Sequence, residues 1–453
     1  MDRIRWIRLL LSCVVLGFFA WTSGCGTPDE EPPKKRVQVK VPDKPTYHRD
    51  VRSIIETKCQ SCHQKGNIGP FTLSNFQEVS KLKGAIRHSV VTRQMPPWKA
   101  DNECSSYQNN FSLTESEIKI IDKWVEQGGK EGSPSDYRKP DNKTNFSIRA
   151  DVRLKLPAPY VPIKKPDDYR CFIIDWPKKK DTYVTGIRVL ADNKKIAHHL
   201  IAYMIPGKYA ARFQKYDKSD PGLGYSCYGG ITPGESGDDA LPDDVGGLGG
   251  WSPGQQGFLF PKGTGVKVPA GAKVVVQMHY NVLSKDPKSD QSVIEFQTAD
   301  TVEREGYFIS IADPNWISKK TMKIPANSQK TVHSFGLDVA GWLGTPFLVY
   351  RAGVHMHARG TKASLILEKG GSSKKACLLR VPKWDFNWQG DYGLSKPIRM
   401  DIGDTLRLSC EWNNSAANQP VINGKKLKSK DLNWGDGTYD EMCLGDIYVV
   451  PDY

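Results

Sequence analysis

The sequence predicts a multidomain protein in which a small α-helical domain precedes antiparallel β-sandwich domains. At 453 residues the chain has room for two or three domains. An amphipathic helical pattern lies early in the chain. From Phe146 onward, short β-branched runs alternate with Gly, Pro, Asn and Asp, as in antiparallel sheets. With 38% apolar residues the composition supports buried cores, so disorder is not expected.

The N-terminus predicts a lipoprotein signal peptide over residues 1–25. Three arginines within the first eight residues precede an apolar run, 9–21, that is too short to span a bilayer. The motif TSGC resembles a bacterial lipobox, in which Cys25 would carry the lipid. Because Thr22 stands where leucine is usual, ordinary secretory cleavage nearby remains an alternative. Gly26 resembles the outer-membrane sorting pattern, so an exported, periplasm-facing lipoprotein of the outer membrane is expected.

Charge along the chain is scattered. Residues 26–46 are rich in proline and charge and predict an extended linker. The net charge is +14, but the lysines occur in short separated runs without a nucleic-acid motif. Solvated surface charge is the favoured interpretation, and no nucleic-acid partner is expected. An anionic membrane surface or an acidic redox partner stays open.

The motif CQSCH predicts covalent attachment of a c-type haem. Cys59 and Cys62 would bond the haem, and His63 would be an axial ligand. Downstream, RQMPPW offers the thioether of Met95 as the second axial ligand. The alternatives are a disulfide or zinc pair for the two cysteines and a core methionine for Met95.

A helix is predicted after Thr114, with Glu117 at the capping-box position. Its apolar stripe comprises Ile118, Ile121, Trp124 and Val125. This stretch resembles the closing helix of small cytochrome c domains. The resemblance implies a cytochrome c-like haem domain over 47–132, followed by a linker over 133–147.

Histidines in the β-rich part predict metal sites. Residues two apart in a strand share a face, so His355 and His357 in GVHMHARG can approach one ion while Met356 points away. The adjacent His198 and His199 would diverge in a regular strand. They can share an ion only if the backbone bends, or if their rings bind through the nitrogens nearer the backbone.

Two further side chains complete the predicted ligand sets. His279 would join the adjacent pair from another strand, and Met442 would join the His-x-His pair. Imidazole suits copper, zinc, iron and nickel, and a thioether adds a preference for Cu(I). Taken singly, His279 and Met442 are more typical of core residues. Their order along the chain favours a redox protein with two copper ions.

The remaining cysteines predict disulfides because the protein is expected to be exported. Pairing cannot be deduced from sequence, but one bridge within each segment is the simplest choice. The four cysteines concerned are Cys171 and Cys227, then Cys410 and Cys443. Cys104 and Cys377 have no assigned role.

The chain from about residue 150 to 453 resembles the copper type II, ascorbate-dependent monooxygenases, which include the peptidylglycine hydroxylating and dopamine β-monooxygenases. Six spaced motifs occur in order: AHHLIAYM, GGWSPGQQGFLFPKGTG leading into VVVQMHYN, GVHMHARG, WDFNWQGDY, CEWNNS and TYDEMCLGDIYVVP. The resemblance implies two jelly-roll β-sandwich domains, over 148–304 and 305–453. Each would carry one copper ion, and a solvent-filled cleft would separate the two ions.

The same resemblance implies a role for each ligand. The copper ion that delivers electrons would be held by His198, His199 and His279. The catalytic copper ion, which binds O2 and attacks a substrate C–H bond, would be held by His355, His357 and Met442. The family's disulfide beside the methionine ligand maps onto Cys410 and Cys443.

The predicted function is hydroxylation of a small organic substrate by O2. Gly353, Leu444 and Asp446 replace residues of the peptide-amidating members, so a peptide carboxylate is not expected as substrate. Electrons would come through the fused haem, from a donor protein, or from ascorbate. The alternative is a non-catalytic copper and haem electron carrier or copper-binding lipoprotein. A zinc hydrolase is disfavoured by Met442 and by the lack of an HExxH motif.

Overall fold

The computed structural model describes residues 40–453, apart from positions 66, 68, 141–145, 228–229, 234–240, 243, 253–254, 256, 283–286, 319–320, 423–424, 436 and 438. The predicted signal peptide and Cys25 therefore lie outside the described residues. Of the described residues, 36% are in strands and 17% in helices. No helix in the described part has the length and apolar character needed to cross a membrane.

The described helices are short. They are α1 (Arg52–Lys58), α2 (Phe76–Lys81), α3 (Lys83–Val91), α4 (Glu115–Glu126), α5 (Ala210–Ser219), α6 (Pro314–Ile317) and α7 (Val339–Leu343). The predicted helix after Thr114 is confirmed as α4. The Thr114 side chain accepts from the Glu117 backbone N–H, and Glu117 accepts from the Thr114 backbone N–H in return.

The strands form most of the body. They are β1 (Val152–Lys155), β2 (Asp167–Asp175), β3 (Thr182–Leu190), β4 (Ala197–Ile205), β5 (Tyr225–Ser226), β6 (Gly246–Trp251), β7 (Phe258–Leu259), β8 (Thr264–Val268), β9 (Lys273–Asn281), β10 (Val293–Ala299), β11 (Arg304–Glu305), β12 (Tyr307–Ile311), β13 (Thr331–Leu337), β14 (Phe347–His355), β15 (Gly360–Glu368), β16 (Lys375–Val381), β17 (Asp391–Met400), β18 (Thr405–Trp412), β19 (Val421–Ile422), β20 (Lys425–Lys426) and β21 (Leu444–Pro451).

Nearly all strand pairs are antiparallel; β8 and β11 pair in parallel. One sheet has the order β1-β10-β3-β8-β11 with β7 beside β3, and a second has the order β5-β2-β9-β4-β6. The other larger sheets are β12-β21-β14-β17 and β13-β18-β15-β16, and β19 pairs with β20. The central strand β9 is buried on both faces over Val274–Tyr280, which matches its mostly apolar sequence VVVQMHY.

Two large hydrophobic cores meet at the last strand. The alternation of side chains along β21 sends Ile447 and Val449 into the core of the later sheets. Tyr448 and Val450 point the other way, into the core of the earlier sheets. Since one strand contributes to both cores, the two halves are parts of one body.

The helical segment is bound to the late strands. Cys104 forms a disulfide with Cys377 of β16, across 273 residues of chain. Tyr107 is buried and its hydroxyl donates to the carbonyl of Leu378 at 3.1 Å. Trp98 packs edge-on against Tyr392 of β17, with ring centroids 5.0 Å apart. These contacts account for the two cysteines that the sequence left unassigned.

The predicted fold class is therefore wrong. The sequence predicts a separate helical cytochrome c domain followed by two jelly-roll domains. Instead, residues 38–453 form a single compact unit that is mostly β. Helices α1–α4 surround a small apolar core that includes Trp124, but the chain between α3 and α4 packs into the sheets. The spacing of apolar residues within one helix is a local pattern. It cannot reveal contacts with residues hundreds of positions away in the chain.

Candidate metal centres

Three histidines converge in the sheet that contains β4 and β9. The two strands are antiparallel neighbours, and His199 lies opposite His279. Their register shifts between Ala197 and His199, which marks a bulge at His198. A bulge redirects a side chain that would otherwise point to the opposite face. The backbone bend that the adjacent histidines require is therefore present.

The three rings meet through Nδ1, the ring nitrogen nearer the backbone. The Nδ1 atom of His279 lies 3.1 Å from that of His198 and 3.4 Å from that of His199. A tetrahedral ion with metal–nitrogen bonds of about 2.0–2.1 Å spaces its nitrogen ligands about 3.3–3.4 Å apart. All three ligand atoms lie within 4.8 Å of one another, and no other His, Cys, Asp or Glu group among the described residues forms such a cluster. The spacing fits a copper or zinc ion.

His279 has its tautomer fixed by a carboxylate. Its Nε2 donates to Oδ1 of Asp167 at 2.8 Å, and Asp167 also accepts from Asn281 at 3.1 Å. Tyr169 stacks on the imidazole, with centroids 4.0 Å apart and planes 6° from parallel. With the proton on Nε2, the lone pair of Nδ1 is available to a metal. A carboxylate behind a ligating histidine orients the ring and raises its basicity.

A second histidine pair lies at the end of β14. His355 donates from Nδ1 to Oε1 of Gln389 at 2.7 Å, and His357 donates from Nδ1 to the carbonyl of Asp440 at 3.2 Å. Both rings therefore keep the lone pair of Nε2, the opposite choice from the first cluster. The ring centroids are 5.1 Å apart. Met356, between them, is fully buried in the core, as the strand alternation predicts.

Met442 lies in the segment directly before β21. The strand β14 ends at His355, which lies opposite Leu444, the first residue of β21. The two residues before Met442 bond to His357: the carbonyl of Asp440 accepts from its Nδ1, and the carboxylate of Glu441 accepts from its backbone N–H. Met442 is 4% exposed. Its role as a ligand stays a prediction.

Glu441 joins the segment before β21 to the turn that follows β14. Its buried carboxylate accepts from the backbone N–H of His357 at 3.1 Å and of Arg359 at 2.7 Å. It also accepts from Nε1 of Trp412 at 2.8 Å. Burial nonetheless raises the pKa of Glu441 to about 7. Because Glu441 directly precedes Met442, these bonds hold the thioether residue against the His-x-His turn.

Burial keeps all five imidazoles neutral. It lowers the pKa of His198 and of His355 to about 4, and that of His357 to about 3. For His199 and His279, burial and then neighbouring histidines lower the pKa well below its ordinary value. Neutral imidazole is the form that binds metal, so protons do not compete near neutral pH.

The CQSCH motif follows α1. Cys59 and Cys62 are the only described cysteines outside disulfides, so a disulfide between them is not formed. His63 donates from Nδ1 to the carbonyl of Phe71 at 3.2 Å, which leaves Nε2 for an axial bond. Met95 is 36% exposed, so it is not a core methionine.

The other predicted disulfides are present. Cys171 bonds to Cys227, with Cα atoms 5.8 Å apart. Cys410 bonds to Cys443, directly after Met442, with Cα atoms 6.0 Å apart. The simplest pairing, one bridge in each segment, is confirmed.

Sequence reasoning missed the groups behind the ligands. These are Asp167, Gln389, Glu441 and Phe386. Glu441 had one visible signal, since an acidic residue directly precedes the methionine in TYDEMC. Gln389 and Phe386 lie in the landmark WDFNWQGDY, but nothing in that motif assigns them a contact. Asp167 becomes a neighbour of His279 only through the pairing of β2 with β9.

Comparisons with known proteins identify no relative. No protein-family model matches the chain, and no curated protein matches it. A structure of PNGF-II in a C2 space group is 9% identical with a TM-score of 0.25, over 66% of this chain and 65% of that chain. The chain thus spans just under two thirds of PNGF-II. The infectious bursal disease virus VP2 subviral particle is 9% identical with a TM-score of 0.19, over 69% of this chain and 74% of that chain. Similarities this low do not bear on fold or function.

Proposed function

We propose that this protein is an exported, lipid-anchored copper monooxygenase that hydroxylates a C–H bond of a small organic substrate. The overall reaction consumes one O2, two electrons and two protons, and it yields the hydroxylated product and water. A c-type haem held by CQSCH would pass electrons from a donor protein, or ascorbate would be the reductant. The resemblance to the copper type II monooxygenases motivates the proposal.

One observation carries it: the two histidine clusters present opposite ring nitrogens. The three-histidine cluster offers Nδ1 atoms, whereas His355 and His357 offer Nε2 atoms. Met442 would complete the second set. Two different donor sets favour two ions with different tasks. A soft thioether favours Cu(I) at the second centre, and an all-imidazole set accommodates either oxidation state.

Bound copper would supply one-electron redox chemistry and O2 activation. The chain's own residues hold and orient the site. Asp167 accepts a hydrogen bond from Nε2–H of His279, and Gln389 accepts one from Nδ1–H of His355, so neither ring can rotate without losing a hydrogen bond. Trp384 donates from Nε1 to the carbonyl of His357 at 3.1 Å, which fixes the backbone between the ligands.

The segment that follows the CQSCH motif contacts the loop before β4, the strand that carries His198 and His199. Lys194 donates to Oδ1 of Asn67 at 3.1 Å, and its charge lowers the pKa of Cys62 against the larger raising effect of burial. Lys194 is four residues before His198. This adjacency supports electron delivery from the haem motif to the three-histidine cluster.

Export is supported by the three disulfides, which are typical of oxidising compartments. Cys25 would carry the lipid.

A second candidate function, a copper and haem electron carrier, is favoured by the residues beside the second centre. Gly353 pairs with Asp446 across β14 and β21, and Asp446 bonds to Ser310, so the positions that differ from the peptide-amidating members carry no cationic group.

Metal analysis with an optical spectrum of the mature protein tests the cofactor content. We expect two copper ions and one covalent c-type haem per chain. Replacing both cysteines, C59S and C62S, should abolish the covalent haem and leave copper content unchanged, because neither cysteine is a predicted copper ligand. A colourless protein that takes up only zinc would contradict the proposal.

Copper-dependent O2 uptake with ascorbate as reductant separates enzyme from carrier. Met442→Leu keeps the apolar volume but removes the sulfur, and we expect O2 uptake to fall by about 10–100-fold, as for other changes that disturb a metal centre. Met356→Leu, the same change one residue from each histidine but inside the core, should retain nearly full activity. Equal activity in both variants would exclude Met442 as a ligand. An inactive wild-type protein with full copper would favour the carrier.

A further inference from the structure

An aromatic ring lies between the two histidine clusters. Phe386 stacks on His198, with centroids 5.1 Å apart and planes 25° from parallel. It meets His357 edge-on, with centroids 6.1 Å apart and planes at 90°. The resemblance implies a solvent-filled cleft here. Instead, one side chain touches a ligand of each centre.

The loop that carries Phe386 is anchored on both sides. Gln389 accepts from Nδ1 of His355 through its side chain, at 2.7 Å. Its backbone carbonyl accepts from the hydroxyl of Ser252, which follows β6, at 2.6 Å. Within the loop, Nε2 of Gln389 donates to the carbonyl of Phe386 at 2.9 Å. The same short segment therefore holds the second cluster and the sheet of the first.

The start of the loop is tied to the helical segment. Asp385 pairs with Lys99 at 3.1 Å, and the Lys99 side chain is only 9% exposed. Lys99 is close in sequence to Asp101, which accepts from Arg380 of β16 at 3.0 Å. An ion pair with a buried lysine restrains the loop more than an exposed pair would. The ring of Phe386 is thus held from three directions.

We infer that Phe386 is a positioning residue that sets the separation of the two metal centres and holds the His198 ring in its ligating orientation. This inference rests on the proposed function, because it assumes that both centres bind copper. Stacking of the kind seen here contributes about 0.5–1.5 kcal/mol beyond burial, enough to select one ring orientation. Since Phe386 has no ligand atom, its removal leaves both donor sets complete.

The distance between the two Cu(II) ions is the direct test, measured by dipolar electron paramagnetic resonance on the full-length, copper-loaded protein. In Phe386→Ala we expect two copper ions per chain, with a copper–copper distance distribution that is broader and shifted to longer values. Ascorbate-driven O2 uptake should fall by about 10-fold, as for second-layer changes at metal sites. Phe386→Leu keeps an apolar side chain without the flat ring and should show a smaller change of the same sign. Asn387→Ala, on the exposed side of the same loop, is the matched control and should match the wild type.

Each outcome decides the question. An unchanged distance distribution in Phe386→Ala, with both ions bound, would overturn the inference. Loss of the first copper ion from Phe386→Ala at an unchanged melting temperature would support it, because no ligand is removed. If Phe386→Ala does not fold, Phe386→Leu provides the same comparison. A wild-type protein that binds two copper ions but consumes no O2 would contradict the proposed function and leave the distance comparison intact.

Discussion

Replacing His279 by alanine is expected to remove one copper ion per chain and to abolish copper-dependent O2 uptake. His279 is central in its cluster, since its Nδ1 is the atom that lies 3.1 Å and 3.4 Å from the other two. The change also leaves the buried Asp167 without its imidazole partner. Leaving a buried hydrogen-bonding group without its partner costs about 1–3 kcal/mol. Copper content per chain and the melting temperature are the measurements.

A second variant separates metal loss from instability. His279→Gln retains an N–H donor for Asp167 but has no imidazole, so it should recover much of the stability and none of the copper. His88→Ala, on the exposed face of α3, should leave copper content and stability unchanged. Two copper ions in His279→Gln would show that the three-histidine cluster is not a metal centre.

Glu441→Ala is expected to destabilise the fold and to weaken copper binding at the His-x-His pair. The carboxylate is the acceptor for two backbone N–H groups and the indole N–H of Trp412. A buried donor left without a partner costs about 1–3 kcal/mol, so the loss should exceed about 3 kcal/mol. The free energy of unfolding, measured with denaturant, and the affinity for the second copper ion test this expectation.

Glu411→Ala supplies the comparison for Glu441. Glu411 pairs with Lys330 and Lys362, whose side chains are largely exposed, and such pairs contribute about 0–1 kcal/mol. Glu441→Gln keeps the shape but turns an amide N–H toward existing donors, so its effect should be intermediate. If Glu441→Ala lowered the free energy of unfolding no more than Glu411→Ala does, other contacts would hold the turn that contains His357.

Short-range patterns predicted local structure well. The capping box before α4 and the runs that became β3, β9, β14, β15, β18 and β21 were visible because helix and strand periods repeat within a few residues. The approach of His355 and His357 to each other, on either side of the buried Met356, follows from the same alternation. The bend at His198 was recognised as a requirement, but its form as a bulge depends on the partner strand.

The prediction of a separate helical domain is wrong for a long-range reason. Helices with an apolar stripe near a CQSCH motif predict an independent helical domain, and α1–α4 do share a small core. The disulfide between Cys104 and Cys377 and the shared strand β21 join the described residues into one unit. Neither feature leaves a local pattern.

By itself, the sequence determined which side chains can bind metal and which strand face carries them, because residue chemistry and the two-residue strand period are local properties. Tertiary structure decided which ring nitrogen each histidine presents, through Asp167, Gln389 and the carbonyl of Asp440. It also placed Phe386 between the clusters. These contacts depend on strand register and loop packing, which are set by the burial of whole sheets rather than by neighbouring residues.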